Sequence, residues 1–463
     1  MKRLNPELRR NLWLELSLHR LIAAPLVIAL CAALIVAASK MDALENLAGA
    51  SSMGFAAIVL LWGTQLAGAS VLEEARDRTW DAQRMSAIGP WSMTWGKLLG
   101  APAFAWYGGL ILLLIFVATG NHQGAPVLRS AALMVSGAIL LHAVALNASV
   151  LAARKGVSYR GTGVIVFLLL ALLLIVPGIA VFDHFEKPVQ WWAISIQRID
   201  FLLGTAVTFG AWALLGAYRS MCNELEIRTT PWALPAFILF AAAYAAGFSM
   251  RGAAHDPPAF FGIMACGVVI ASGFSYLLLF TEKSGATAWQ RLRVRTHARQ
   301  WRRALQELPL WLVALATGLA IALAATFSSA GTEAVASKGT FLQQVGLAPI
   351  AVMLFAIRDA AVFQCFALAR RPRRVVAAAI FYLILLYGIV PGLLSALGAT
   401  FFAQLVLPPL FTNPGLATAV MLVQAGIAVA VAYWRWRTNH APDSEAAATS
   451  TTTQRDTTSW PQT

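Results

Sequence analysis

The residues with the greatest chemical capacity lie together, between residues 72 and 100. Four acids stand in this stretch among basic residues, in a chain that otherwise carries little charge: Glu73, Glu74, Asp77 and Asp81. Carboxylates at helical spacing pair with cations or contact a basic surface of another protein. The segment therefore predicts a charged helix on which a cytosolic partner can push.

The rest of the sequence offers no established catalytic motif. It contains no GxxxxGK[ST] phosphate loop, no HExxH and no CxxC pair. The DHFE run at residues 183–186 could bind a metal weakly, but a solvated loop is the stronger interpretation. Three of the four cysteines (Cys31, Cys266 and Cys365) lie in or beside apolar runs, and Cys222 lies in a loop, so no disulfide framework is expected. No catalytic, cofactor-binding or metal-binding residue is assigned.

Composition indicates the class of protein. Of the 463 residues, 59% are hydrophobic and 12% are charged, whereas an ordinary soluble domain has about 25% charged residues. Apolar runs of about 20 residues, long enough to cross about 30 Å of hydrocarbon, recur along nearly the whole chain. A backbone in lipid must satisfy its own hydrogen bonds, so these runs are helices. The sequence predicts an all-α, polytopic transmembrane helical bundle.

A window of about 19 residues gives about twelve candidate spans. They lie near residues 21–38, 52–71, 98–119, 130–152, 161–182, 201–217, 231–249, 259–281, 309–328, 341–366, 375–395 and 414–434.

The distribution of basic residues predicts the orientation. With the N-terminus inside, the segments assigned to the cytosol contain 28 of the 35 Lys and Arg residues. Basic residues resist translocation, so we expect both termini in the cytosol and a multi-pass protein of the cell inner membrane. The net charge of +14 then reflects topology. Nucleic acid is not expected as a partner, because the most basic segment, 283–303, better suits anionic lipid headgroups or an acidic protein.

The two ends of the chain differ in character. Residues 1–20 are charged and amphipathic and predict a cytosolic interfacial helix, with an ordinary polar leader as the alternative. Residues 435–463 have too little apolar surface to fold and predict a disordered cytosolic tail.

Several polar residues fall within the predicted spans. Gln65, His142 and Asn147 are expected to hydrogen-bond neighbouring helices, with a place on a substrate pathway as the alternative. Arg358 and Asp359 are costly inside a membrane, where charge is usually paired or functional. Consecutive residues of a helix point about 100° apart, so the two are not expected to pair with each other.

The charged stretch has a predicted shape. A helix is expected from about Val71 to Met85, ended by a turn at Gly89–Pro90, because proline disfavours helix at the residue before it. The chain then re-enters the membrane, where Trp91 suits the interface and Lys97 can extend its amine towards water.

At these residues the chain resembles the ABC-2 type permease family, the membrane subunits of ATP-driven exporters. Members often carry, between spans two and three, a pattern like E-x-x-x-G-T-[LW]-[ED]-x-L-x-x-[ST]-P followed by G-K. The comparable positions are occupied here by Glu74, Thr79, Trp80, Asp81, Pro90, Gly96 and Lys97. The chain departs from the pattern at Arg78, where a glycine is common, and at Asp77, to which one acid is displaced.

The resemblance implies a coupling loop at residues 72–98 that docks on a cytosolic ABC ATPase. Trp80 would be its apolar anchor. The residues that it assigns to ATPase coupling are Glu73, Glu74, Asp77, Thr79, Trp80, Asp81, Arg84, Pro90, Gly96 and Lys97. It also implies that this chain is a transport permease and no enzyme, that ATP and Mg²⁺ bind to the partner, and that an unidentified substrate is exported through a protein surrounded by membrane lipids.

The resemblance covers about residues 1–220, including a six-span region at 21–220 with a partly apolar external segment before its sixth span. Residues 221–434 form a second six-span region, for which we consider a degenerate partial repeat. In that interpretation Arg358, Asp359 and Gln364 open a second cytosolic docking helix, and chance similarity is the alternative. Twelve spans could supply both halves of a transporter or could still form a homodimer.

Two other classes of function stay open. An ion-coupled secondary transporter would favour buried acids in the spans, of which Asp359 is nearly the sole example in the sequence. A membrane enzyme or assembly subunit without transport would favour clustered catalytic groups, and none stand out.

Overall fold

The computed structural model describes residues 5–39, 42–120, 127–155, 188–248, 259–282, 285–329, 349–369, 375–408 and 413–440. The chain divides into two compact units. The first comprises Met1–Gln190 and Ile194–Thr229, and the second comprises Trp191–Ala193 and Thr230–Thr463.

The first unit, in its described residues, is almost entirely helical. Its helices are α1 (Pro6–Glu15), α2 (Leu18–Ala38), α3 (Ala43–Phe55), α4 (Thr64–Arg76), α5 (Trp80–Arg84), α6 (Pro90–Gly100), α7 (Ala103–Gly120), α8 (Val127–Lys155) and α9 (Arg198–Glu224). A π-helix, Ala56–Gly63, joins α3 to α4 without a break. The strands β1 (Val189–Trp191) and β2 (Ile194–Ile196) form a hairpin before α9.

The described residues of the second unit form ten further α-helices. They are α10 (Ala233–Ala246), α11 (Ala259–Thr281), α12 (Ala286–His297), α13 (Trp301–Gln306), α14 (Leu310–Ser329), α15 (Pro349–Ala367), α16 (Val375–Ile384), α17 (Val390–Ala396), α18 (Thr400–Val406) and α19 (Pro414–His440). A second π-helix, Leu385–Ile389, connects α16 to α17.

The prediction of an all-α fold is confirmed. In the described part of the chain, ten helices are long and apolar enough to cross a membrane, and they coincide with ten of the predicted spans. The predicted span at 231–249 is the shorter apolar helix α10, and the one at 161–182 lies outside the described residues. The total of twelve spans and the side of the membrane on which each terminus lies stay predictions.

The N-terminal helix α1 begins where its sequence directs. The side-chain oxygen of Asn5 accepts hydrogen bonds from the backbone N–H groups of Glu7 (3.0 Å) and Leu8 (3.4 Å). Pro6 takes the first helical position, where its missing N–H costs nothing. A helix therefore lies within residues 1–20 and ends before α2 starts at Leu18. Its cytosolic position at the membrane interface stays a prediction.

Small residues let helices approach closely in each unit. A side-chain carbon at Gly109 in α7 would collide with Val59 in the first π-helix. In the second unit, a carbon at Gly318 in α14 would lie 2.7 Å from the sulfur of Met353 in α15. Close packing of this kind contributes to the attraction between helices in lipid. The lipid tails are as apolar as the helix surfaces, so no hydrophobic effect drives the helices together.

Three polar residues of the spans were predicted to hydrogen-bond neighbouring helices, and two of them do. The ring nitrogen Nε2 of His142 in α8 lies 2.9 Å from the carbonyl oxygen of Val59. The hydroxyl of Ser220 in α9 donates to Asn147 Oδ1 at 2.6 Å. Gln65 is exposed, so the structure gives it no such contact to a neighbouring helix.

Candidate functional site

The charged loop consists of two helices where one was predicted. Helix α4 ends at Arg76 and α5 begins at Trp80, so the expected continuous helix from Val71 to Met85 is wrong at residues 77–79. The cause is the backbone of Arg78, whose φ of 58° is left-handed and ends α4. This conformation favours glycine, the residue that is common at this position in the pattern that the sequence resembles. The predicted break before Pro90 is confirmed, since α6 begins there.

A buried ion cluster lies beneath this loop. Lys97 is only 1% exposed, and its amine lies 3.3 Å from Glu7 Oε1 and also bonds Glu74. Arg10 pairs with the same two acids, at 3.0 Å from Glu7. Gln83 Nε2 donates to Glu74 Oε1 at 2.7 Å. The cluster joins α1, α4, α5 and α6, so the expectation that Lys97 reaches towards water is wrong: two carboxylates hold its amine inside the protein.

The cluster changes the pKa of Arg10, which lies at its edge. Partial burial lowers the pKa of Arg10, but the hydrogen bond to Glu74 and the charges of Glu7 and Glu74 raise it by more. The net effect raises the pKa of Arg10 above its ordinary value. The guanidinium therefore stays charged and offsets the second carboxylate.

Helix α1 lies directly on α6. A side-chain carbon at Gly96 would be 2.5 Å from Glu7 Cβ, and one at Gly100 would be 2.7 Å from Asn11 Cβ. Asn11 Nδ2 donates to the Gly96 carbonyl at 3.3 Å. The Gly96–Lys97 pair of the motif thus has a physical purpose in this chain, because glycine admits α1 and lysine neutralises the acid that α1 brings.

The short helix α5 is also tied to the end of α9. Arg84 Nε donates to the Glu224 carbonyl at 2.9 Å and lies 3.9 Å from its carboxylate. A cavity of about 400 Å³ separates these two elements, lined by Asp81, Arg84, Met85, Glu224, Leu225 and Glu226. Trp91 at the start of α6 packs edge-on against Tyr218 of α9, with ring centres 5.3 Å apart.

The predicted coupling residues fall into three groups by exposure. Four are exposed and open to a partner: Glu73, Asp77, Thr79 and Asp81. Glu74, Arg84 and Pro90 are half-buried, and Trp80, Gly96 and Lys97 are buried.

The side chain that was expected to be the apolar anchor, Trp80, is buried, and a different apolar side chain protrudes. Trp80 packs against Val71, Met93 and Leu98 within the first unit, and the Lys97 amine lies 5.2 Å from its ring centre. The apolar side chain that does protrude is Met85, which is 85% exposed. Sequence reasoning missed Met85 because an isolated methionine at the end of a charged segment carries no signal of exposure.

Arg358 and Asp359 form a second buried cluster, in α15. They are 5% and 3% exposed, and Arg358 Nε lies 3.1 Å from Asp359 Oδ1. The expectation that they do not pair is therefore wrong, because the long arginine side chain bends back to its neighbour. Tyr276 donates to Asp359 Oδ2 at 2.7 Å, and Tyr387 bonds both members of the pair.

The burial of these residues does not agree with a second docking helix. Arg358 donates to Gln424 Oε1 at 2.7 Å, and its guanidinium stacks 4.7 Å from the centre of the Phe355 ring. Gln364 is 5% exposed and accepts a hydrogen bond from Trp289 Nε1 at 3.4 Å. All three predicted contact residues thus point to partners within the second unit.

The residues of the described ranges include no group of three or more His, Cys, Asp or Glu side chains placed to hold a metal ion. Comparison with protein-family models, curated proteins and solved structures gives no match to this chain. The resemblance to ABC-2 permeases therefore rests on the sequence features described above.

Proposed function

We propose that the chain is the membrane permease subunit of an ABC-type exporter, driven by ATP that a separate ATPase subunit hydrolyses. The observation that carries the proposal is the loop at residues 72–98, where exposed acids on α4, on α5 and in the turn between them lie next to a buried ion cluster. The distribution of basic residues, which predicts a cytosolic position for this loop, supports the same interpretation.

The contacts of α5 suggest how force would pass from the ATPase to the spans. A partner would bind the acids Asp77 and Asp81 and the protruding Met85. Movement of α5 would then reach α4 through the Gln83–Glu74 hydrogen bond and α9 through Arg84. Because α4 is the end of the candidate span Ala43–Arg76 and α9 is itself a candidate span, a displacement at the loop can shift the bundle between two states.

Charge reversal of the exposed acids tests this proposal. The double variant Asp77→Lys/Asp81→Lys changes side chains that face solvent, and it leaves Glu74 and the buried cluster intact. The tagged chain is purified from its native cells after mild crosslinking, and copurifying ATPases are identified by mass spectrometry. We expect about tenfold weaker ATPase recovery and a matching loss of stimulated hydrolysis, since removing complementary charge weakens association.

The matched control is Glu45→Lys. Glu45 is exposed in the first turn of α3, at the opposite end of the same candidate span, Ala43–Arg76. ATPase recovery should equal that of the wild type. If the double variant retains both ATPase binding and stimulated hydrolysis, the loop is not the coupling element.

A second candidate function, ion-coupled secondary transport, is favoured by one observation. Asp359 is a buried carboxylate within a candidate span, a position typical of ion pathways. Its bonds to Arg358 and two tyrosines favour a structural role instead. In proteoliposomes, substrate movement driven by a proton or sodium gradient without any ATPase, and lost in Asp359→Asn, would support this second function.

A further inference from the structure

A cavity of about 510 Å³ lies in the second unit, among helices α12, α14, α15 and α19. Its wall is almost entirely apolar and includes four aromatic rings, those of Trp289, Trp311, Tyr433 and Trp436. Pockets of about 300–1,000 Å³ bury ligands of drug size. The volume suits one acyl chain and not a two-chain phospholipid.

Two hydrogen-bond donors in this wall have no partner among the described residues. They are the amide nitrogen of Gln364 and the indole nitrogen of Trp436. The orientation of the amide is fixed, because Trp289 Nε1 donates to the Gln364 oxygen and leaves the nitrogen as the free donor. A buried donor without a partner is unfavourable, and an acceptor on a bound molecule would remove that cost.

The third polar group is Arg293, an exposed residue of α12 that also lines the cavity. Its guanidinium lies 5.6 Å from the ring centre of Trp436, and no carboxylate in the described ranges forms an ion pair with it. Gln364, Trp436 and Arg293 thus place N–H groups and a positive charge in the wall of an otherwise apolar space. Such a combination matches an acidic headgroup attached to a hydrocarbon chain.

We propose that this cavity binds a single-chain anionic amphiphile of the fatty-acid type. The carboxylate accepts from the N–H groups of Gln364 and Trp436 and is neutralised by Arg293, and the chain lies against the apolar wall. The inference does not depend on an ATPase partner, because every residue that carries it belongs to the second unit.

Binding of radiolabelled palmitate to the purified full-length protein, in a non-ionic detergent, tests the proposal. We expect saturable binding that excess unlabelled palmitate displaces and excess hexadecanol, which lacks the charge, displaces poorly. Trp436→Phe keeps an aromatic ring but removes the N–H, and Gln364→Leu keeps similar volume but removes the amide. Each should weaken binding about tenfold to a hundredfold, as expected for the loss of one hydrogen bond to a charged group.

The contribution of the Arg293 charge is tested by comparing two arginines of helix α12. Arg293→Gln should weaken palmitate binding about fivefold or more, whereas Arg291→Gln should leave it unchanged. Arg291 is exposed on the same helix but does not line the cavity.

A separate variant fills the space. Ala361→Phe puts a ring into the cavity and should abolish binding, with a thermal unfolding profile recorded for each variant to exclude misfolding. Trp436→Phe should unfold at or above the wild-type temperature without ligand, because it removes an unsatisfied donor. Absence of saturable palmitate binding, equal affinity in all variants, or displacement only by a two-chain phospholipid would each overturn the proposal.

Discussion

Lys97 and its two acids are the residues on which the loop most depends. The Lys97 side chain is 1% exposed, and its amine contacts the carboxylates of Glu7 and Glu74. Taking a charge from water is expensive, and the attraction between partners repays that cost only when the geometry is good. The cluster is therefore sensitive to the loss of one member and tolerant of the loss of a matched pair.

Lys97→Met is accordingly expected to destabilise the first unit by about 3–5 kcal/mol, the usual cost of leaving a buried charge unpaired. Thermal unfolding in detergent measures the loss. The double variant Glu7→Gln/Lys97→Met removes one charge of each sign and should recover a substantial part of it. A double variant less stable than Lys97→Met would contradict the ion-pair interpretation.

The backbone of Arg78 has a strained, left-handed conformation. Its left-handed conformation costs a residue with a side chain about 1–2 kcal/mol. Arg78→Gly should therefore leave stability within about 0.5 kcal/mol of the wild type, since relief of strain is offset by greater freedom of the unfolded chain. Arg78→Val, whose branched side chain resists this conformation, should lower stability by about 1–2 kcal/mol. Equal unfolding temperatures for the two variants would indicate that residues 77–79 do not need this turn.

These residues also mark how far the sequence alone could go. The motif identified Gly96 and Lys97. Glu7 is far from them in the sequence, and no spacing rule predicts that it contacts Lys97. Arg358 and Asp359 were recognisable as costly charges within a span. Their mutual pairing could not be predicted. Helix geometry fixes the direction of each Cα–Cβ bond, but it does not fix the position of the guanidinium at the end of a long arginine side chain.

Among the elements, the contact between α1 and α6 links the N-terminus to the loop. Gly96 and Gly100 leave just enough room for Glu7 and Asn11. The sequence predicted α1 from its amphipathic character and α6 from Pro90. Their contact could not be predicted, because each glycine reads in isolation as a weak point in a helix.

Gly100→Ala should loosen α1 from α6, since the added carbon would lie 2.7 Å from Asn11 Cβ. Limited digestion with trypsin, which cuts after Arg9 and Arg10, measures the release: cleavage should be several-fold faster than in the wild type, because local opening governs proteolysis. Gly89→Ala is the control, since nothing lies within 4 Å of its added carbon and its φ is −69°. Similar cleavage rates in both variants would mean that α1 does not depend on this contact.

At the scale of the whole molecule, hydrophobic runs predicted most of the architecture. Ten candidate spans and one shorter helix lie where the sequence placed them, because the need to satisfy the backbone in lipid leaves little choice of structure. The division after Thr229 and the apolar cavity of the second unit left no trace in hydropathy, since both arise from which helix faces meet. For the same reason the sequence could not show that Arg358 and Asp359 join four elements.

The cluster around Arg358 and Asp359 gives a last prediction about how the second unit holds together. Its bonds connect α15 to Tyr276 in α11, Tyr387 in the second π-helix and Gln424 in α19. Asp359→Leu leaves the guanidinium buried without its counter-ion and should lower the free energy of unfolding by about 3–5 kcal/mol. Arg358→Leu/Asp359→Leu removes both charges and should be the more stable of the two variants, which a double-mutant cycle of thermal unfolding measures. Strictly additive losses would mean that the two side chains contribute separately, and that the helices of this unit are held by packing alone.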